Sequence, residues 1–164
     1  MKVILQNAIT LNGMIAGKNH DTSWVSDQDW ESFISLVKRT GVMIVGRVTY
    51  DLMRKAGELK NYSHILTVVL TGNRKLEKEG GKLIITSKSP KRILELLKKR
   101  GFKEVLVAGG GRLNKSFIKQ GLVDEIYVDV HPLILGQGTP IFAPEDFESK
   151  LQLLDTKKLS KNVI

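Results

Sequence analysis

The 164-residue chain contains no cysteine, which excludes a disulfide framework and thiolate chemistry. Long apolar runs are also missing. The opening MKVILQNAIT turns polar too soon for a signal peptide, so the expectation is a cytoplasmic protein with no membrane partner. Only His20, His64 and His131 represent histidine, and no His/Asp/Glu cluster has metal-ligand spacing, so no metal is expected. Aromatics are 6% of the residues and do not interleave with basic ones as a base-stacking platform requires. That scarcity weighs against a nucleic-acid partner despite a net charge of +9. The lysines of LEKEGGK, PKRILELLKKRGFKE and LLDTKKLSK alternate with acids and read as solvated faces, although their field still attracts a phosphorylated small molecule. What remains is ordinary globular material, 41% hydrophobic and 26% charged, of single-domain size over residues 1–164.

Short apolar runs alternate with helical patterns. Strands are expected over Lys2 to Ala8, Val42 to Val45, Ile65 to Leu70, Lys82 to Thr86, Glu104 to Val107 and Glu125 to Val130. Helices are expected from Arg47 to Ala56, from Pro90 onward and from Leu113 to Gln120, the last closed by Gly121. GQGTPIF reads as a loop, and Leu151 to Leu159 as a late strand. This alternation predicts a mainly parallel sheet covered on both faces, with ligands at the carboxyl ends of its strands.

Three strands run into glycine turns. In EVLVAGGGRLNKSF the triplet Gly109, Gly110 and Gly111 precedes a helix beginning near Arg112 and Leu113. GGGRLNKS misses a P-loop by one residue, because Asn114 stands where the second glycine belongs. Glycines let a backbone approach a pyrophosphate, and a helix N-terminus supplies free N–H groups to it; the same triplet also serves a tight turn. VMIVGRVTYDLM places Gly46, Arg47 and Thr49 at a second strand end, and VVLTGNR places Thr71 and Arg74 at a third. Together they describe a long, phosphate-bearing ligand across the sheet.

One acid stands out. In SWVSDQDWESF, Ser26 precedes Asp29 by three residues, the spacing of a capping box. The competing reading makes Asp29 a proton donor in a pocket walled by Trp24 and Phe33.

These pieces resemble the dihydrofolate reductase-like superfamily, especially the C-terminal reductase domain of the riboflavin-biosynthesis deaminase–reductase. The stretch VAGGGRLNKSFIKQGLVDEIYVDVHPLILGQGTPIF carries most of the resemblance. TLNGMIA is similar to that group's S-L-D-G-x-I-A, with Thr10 and Asn12 departing from it, and IVGRVTYDLM is similar to the G-R-x-T-[WY]-E segment of dihydrofolate reductases, with Asp51 for the glutamate. The resemblance implies a three-layer α/β/α fold, a mostly parallel sheet with an antiparallel C-terminal strand, NADPH as cofactor and a homodimer. It implies that Ala16 and Gly17 line the nicotinamide and that Gly46, Arg47 and Thr49 hold phosphates. Thr71 and Arg74 would approach the 2′-phosphate, with Thr86 and Ser87 near the adenosine. Gly109 to Leu113 would pass beneath the pyrophosphate, and Asn114, Lys115 and Ser116 become ordinary helix residues. By the spacing shared with dihydrofolate reductases, Asp29 would bind and protonate a pterin or pyrimidine substrate beside Asn12, Trp24 and Phe33. The implied activity is reduction of 5-amino-6-(5-phosphoribosylamino)uracil, or the related diaminopyrimidine, to the ribitylamino compound. The alternatives are reduction of a pterin and a nucleotide-binding module without catalysis.

Overall fold

The computed structural model describes residues 1–164. In chain order the elements are β1 (Lys2–Thr10), β2 (Met14–Ala16), α1 (Asp27–Thr40), β3 (Val42–Gly46), α2 (Arg47–Lys55), β4 (Leu66–Leu70) and β5 (Lys78–Gly80). They continue with β6 (Leu83–Thr86), α3 (Pro90–Lys99), β7 (Glu104–Val107), α4 (Gly111–Ile118), β8 (Glu125–His131) and β9 (Thr139–Pro140). Seven strands form one sheet in the order β5-β6-β4-β3-β7-β1-β8, and β2 pairs with β9 in a small antiparallel sheet.

The central strands are short and β-branched, and their alternation divides the core in two. Val3, Leu5, Val42, Ile44, Val68 and Val107 face α3 and α4, meeting Ile93, Leu97, Leu113 and Phe117. Ile4, Met43, Val45, Val69 and Leu106 face the other way, meeting Leu36 and Val37 of α1 and Met53 of α2. A three-layer α/β/α sandwich results. Local signals set the helix starts: Ser26 and Ser89 cap α1 and α3, and Pro90 begins α3, where a missing N–H costs nothing.

Every pairing among β1, β3, β4, β6, β7 and β8 is parallel, and β5 runs antiparallel at one edge. At the opposite edge, Val130 and Ile164 exchange N–H···O=C bonds of 2.7 and 3.4 Å, a single antiparallel contact beside β8 at which no further strand forms. The strand expected over Leu151 to Leu159 does not form. Those residues pair with no strand, and Leu151, Leu153 and Leu154 lie 69%, 81% and 68% exposed. GQGTPIF is a loop except at Thr139–Pro140, which pairs with Met14–Ala16.

The segment after β9 crosses α4 and is fastened there. Ala143 N–H donates to Gly111 C=O at 3.0 Å, and Lys115 and Lys119 of α4 both pair with Glu145. The two ammonium groups hold the Glu145 carboxyl at about 2, below its ordinary 4.5. A carboxyl lowered on folding stabilises above its unfolded value, and that help is lost as pH falls from 4.5 toward 2. Glu145→Gln is therefore expected to lower the melting temperature slightly at pH 7 in low salt, and not at all in 1 M salt, where exposed pairs are screened. Thermal melts across salt concentration check this.

Candidate functional site

The carboxyl ends of β1, β3, β4, β6 and β7 open into one cavity of about 930 Å³. Ala8, Gly46, Leu70, Ser87 and Ala108 mark these strand ends on its wall, the position at which parallel sheets bind ligands. Its size suits a cofactor with a substrate.

Two helices point their N-termini at this cavity without side-chain caps. α2 starts after Gly46 and α4 after Gly110, and neither glycine can close the free N–H groups of the first turn. Gly46 N–H donates to Gly109 C=O at 2.8 Å, which locks the two turns together. A Cβ on Gly110 would lie 3.4 Å from Thr49 Oγ1, and one on Gly111 would lie 2.3 Å from the Pro140 carbonyl. The triplet is thus both a close-packing device, at Gly111, and a bare N-terminus facing open space. Arg112 and Leu113 line the same wall. Arg47 lines it as well, although its guanidinium pairs with Asp51 at 2.5 Å in an exposed contact that binds weakly and can be exchanged.

Farther along, Thr71 and Ser87 line the cavity, and Lys88, Ser89 and Pro90 extend it. Arg74 belongs to an adjoining hollow of about 350 Å³ shared with Ser87, Lys88, Ser89, Arg92 and Glu77. Three cations meet one carboxylate there, and Ser87 holds that carboxylate through its N–H and hydroxyl at 2.9 and 2.6 Å. This corner favours an anion. Thr86 is buried, and its hydroxyl accepts from Lys88 N–H at 3.2 Å. The sequence reading missed Lys88, Ser89 and Arg92, although SKSPKR carries both the cations and the helix cap.

At the other end lie Ala16, Asp29 and Phe33. Asp29 is 3% exposed, and its Oδ2 has no hydrogen-bond partner. Burial, and secondarily the nearby charge of Asp129, lifts its carboxyl from 3.8 to about 7. The capping box is only half made. Asp29 N–H donates to Ser26 Oγ at 3.3 Å, whereas Ser26 N–H donates to His131 Nε2 at 3.2 Å. The carboxyl therefore stays out of the cap.

Asp29 belongs to a polar cluster on the α1 side of the sheet that sequence spacing could not bring together. Gln6 donates from Nε2 to Asp129 Oδ2 at 3.0 Å, and its own Oε1 is unpartnered. Burial raises the Asp129 carboxyl as well, against the opposing Gln6 hydrogen bond. These residues meet because β1 and β8 run parallel with Thr10 opposite His131 and Ala8 opposite Asp129.

Trp24 lies outside the cavity wall. Its ring meets His131 edge-on at 5.1 Å, and Val25 and Trp30 supply the wall beside Asp29. Asn12 is exposed and away from the cavity; its amide bonds Thr10, Leu135 N–H and Leu135 C=O, holding the turn after β1. Gly17 supports β2 from behind, through an N–H bond to Asp21 C=O at 2.7 Å. Gly109 sits at φ +94° behind the lining residues, as the turn requires, and the Gly109–Gly110 peptide is cis. Asn114 is more than an ordinary helix residue. It is fully buried, and its Nδ2 donates to Asn7 Oδ1 at 2.7 Å and Ile141 C=O at 2.9 Å, joining α4, β1 and the crossing segment. No group of three or more His, Asp or Glu side chains converges as a metal site, and no helix is long and apolar enough to cross a membrane.

Comparison with known proteins shows the family and the fold. The family model of the RibD C-terminal domain matches residues 1–164. The uncharacterized protein YyaP of Bacillus subtilis (strain 168) is 28% identical, with 99% of this chain and 92% of that protein covered. The riboflavin biosynthesis protein RibD of Aquifex aeolicus (strain VF5) is 35% identical over 85% of this chain, which spans only 48% of that protein. A crystal structure of a putative riboflavin biosynthesis protein from Shewanella sp. PV-4 superposes with a TM-score of 0.83 at 23% identity, covering 99% of this chain and 95% of that one. The Thermotoga maritima diaminohydroxyphosphoribosylaminopyrimidine deaminase/5-amino-6-(5-phosphoribosylamino)uracil reductase gives 0.77 at 19% identity, with 99% of this chain and 54% of that chain covered. At these identities the structural matches speak to fold.

Proposed function

The chain belongs to the RibD C-terminal domain family, and from that premise we propose that it is an NADPH-dependent reductase of the riboflavin pathway. Its substrate in this reading is 5-amino-6-(5-phosphoribosylamino)uracil or the related diaminopyrimidine, reduced to the ribitylamino compound. One observation carries the cofactor assignment: two uncapped helix N-termini, after Gly46 and Gly110, face a single cavity that ends in a cationic corner. The residues fit the group. Gly46, Thr49, Gly110 and Gly111 would hold the pyrophosphate, and Arg74, Lys88 and Arg92 the 2′-phosphate.

Bound NADPH supplies a hydride, so a proton must reach the substrate from elsewhere. Asp29 can furnish it, because a buried carboxyl titrating near 7 keeps a large protonated fraction at neutral pH. Val25, Trp30 and Phe33 give the cavity apolar walls at that end. The unpartnered Asp29 oxygen also favours a second reading, in which the acid meets the ring of a pterin. Incubation with NADPH and each substrate separately, followed by nicotinamide absorbance, decides between them. Consumption with the ribosylaminopyrimidine phosphate supports the first reading, and consumption only with dihydrofolate supports the second. No consumption with either favours the binding module.

The cationic corner gives a sharper expectation. Lys88→Ala should weaken NADPH binding by roughly tenfold, the equivalent of 1.4 kcal/mol, and leave NADH binding unchanged. Fluorescence titration with both nucleotides checks it. We also propose a homodimer, in which the exposed Leu151, Leu153 and Leu154 become covered. Sedimentation should then give twice the chain mass.

A further inference from the structure

We infer that His131 is a positioning residue that frees Asp29 from capping its own helix; this rests on the reading of Asp29 as the proton donor. In a complete capping box, the acid at the third helical position accepts the N–H of the cap residue. Asp29 occupies that position relative to Ser26, so the default fate of its carboxyl is to be spent on the cap.

His131 takes the acid's place. Ser26 N–H donates to His131 Nε2 at 3.2 Å, and a backbone N–H cannot accept, so Nε2 must present a lone pair. The other ring nitrogen, Nδ1, lies 3.1 Å from the Asp129 carbonyl, which cannot donate, so Nδ1 carries the proton. Both bonds hold together only in the neutral Nδ1–H tautomer. The ring has no freedom to turn, being 4% exposed and met edge-on by Trp24 at 5.1 Å.

Two consequences reach the acid. Ser26 is fixed to the sheet through His131, and Asp29 N–H is fixed to Ser26 Oγ, so the sheet aims the acid through two hydrogen bonds. In addition, Asp29 Oδ2 lies 3.9 Å from a nitrogen that has no proton to share, so the pair is no salt bridge in this tautomer. The titratable groups facing the ring are Asp29, from α1, and Asp129, two residues earlier on β8. With neither hydrogen bond nor counter-charge, the Asp29 carboxyl keeps its proton for the cavity.

The test is a carboxyl carbon NMR titration of Asp29 in the full chain, as wild type, His131→Phe and His131→Gln. Phenylalanine keeps the ring against Trp24 and removes the acceptor. The carboxylate should then recapture Ser26 N–H, lowering the Asp29 midpoint by about one pH unit or more. Glutamine offers Oε1 to Ser26 N–H and should restore most of the wild-type midpoint. A purely structural histidine would lower the melting temperature of His131→Phe and leave the Asp29 midpoint unmoved, which would overturn the inference. So would a wild-type imidazole nitrogen spectrum showing the proton on Nε2. If His131→Phe does not fold, that spectrum decides. None of these readouts needs NADPH, so failure of the reductase reading and failure of this inference are distinguishable.

Discussion

Asp29→Asn should lose turnover by about a hundredfold or more while binding NADPH as the wild type does. The same variant should be more stable than the wild type at pH 8. The reason is the sign of the linkage. The Asp29 carboxyl is raised on folding from 3.8 to about 7, so its contribution to stability is fully present below 3.8 and is lost as pH rises through about 7. That interval corresponds to roughly 4 kcal/mol, an upper bound on what the buried carboxylate costs above neutrality. Asparagine never ionises and still fits beside Ser26. Its unfolding free energy should therefore decline less between pH 4 and 8 than that of the wild type, the remaining slope coming from the raised Asp129 and Glu58 carboxyls. An acid retained for its cap alone gives the opposite pattern: the variant is less stable at every pH, with turnover kept. Urea melts at pH 5 and pH 8, run beside the rate measurement, separate the two.

The second large effect is steric. Gly111→Ala ought to help α4, since alanine is the better helix former by about 1 kcal/mol. Its Cβ would instead stand 2.3 Å from the Pro140 carbonyl and 3.4 Å from Ala143 N. Both neighbours are backbone, held by the Ala143 N–H bond to Gly111, the Glu145 clamp and Asn114, so neither can turn aside. The clash outweighs the propensity gain. We expect a net loss of about 2–3 kcal/mol, as for overpacked cores, and weaker NADPH binding because the displaced turn carries the α4 N-terminus. Gly136→Ala is the control: a Cβ there meets nothing within 4 Å, so stability and binding should stay near wild type. Denaturant melts and nucleotide titrations of both variants check the contrast.

Much of this was legible in the sequence where local chemistry decides the outcome. Pro90 and Ser26 announce helix starts, and strand ends running into Gly46, Thr71 and Gly109 locate the cavity mouth, because these signals act within a few residues. Elements fixed only by distant partners were not legible. Lys78–Gly80 and Thr139–Pro140 are too short and mixed to show a strand period, and form because β6 and β2 lie alongside. Leu151 to Leu159 has strand-like residues and no strand beside it, so its composition misleads. The acid's surroundings were hidden for a related reason. Asp29 lies beside Asp129 and His131, more than a hundred residues away, where the parallel pairing of β8 with β1 also joins Gln6 to Asp129, while Trp24, its neighbour in sequence, turns to His131. The one hint was that Asp129 and His131 share a strand face with Tyr127, polar positions where a buried sheet face calls for apolar ones.

The most direct test is titration of the purified chain with NADPH and with NADH, followed by nucleotide fluorescence. If the bare N-termini of α2 and α4 hold a pyrophosphate and the Arg74–Lys88–Arg92 corner holds a 2′-phosphate, NADPH binds and NADH binds at least about tenfold more weakly. Equal affinities would contradict the 2′-phosphate site, and no binding of either would contradict the cofactor assignment itself.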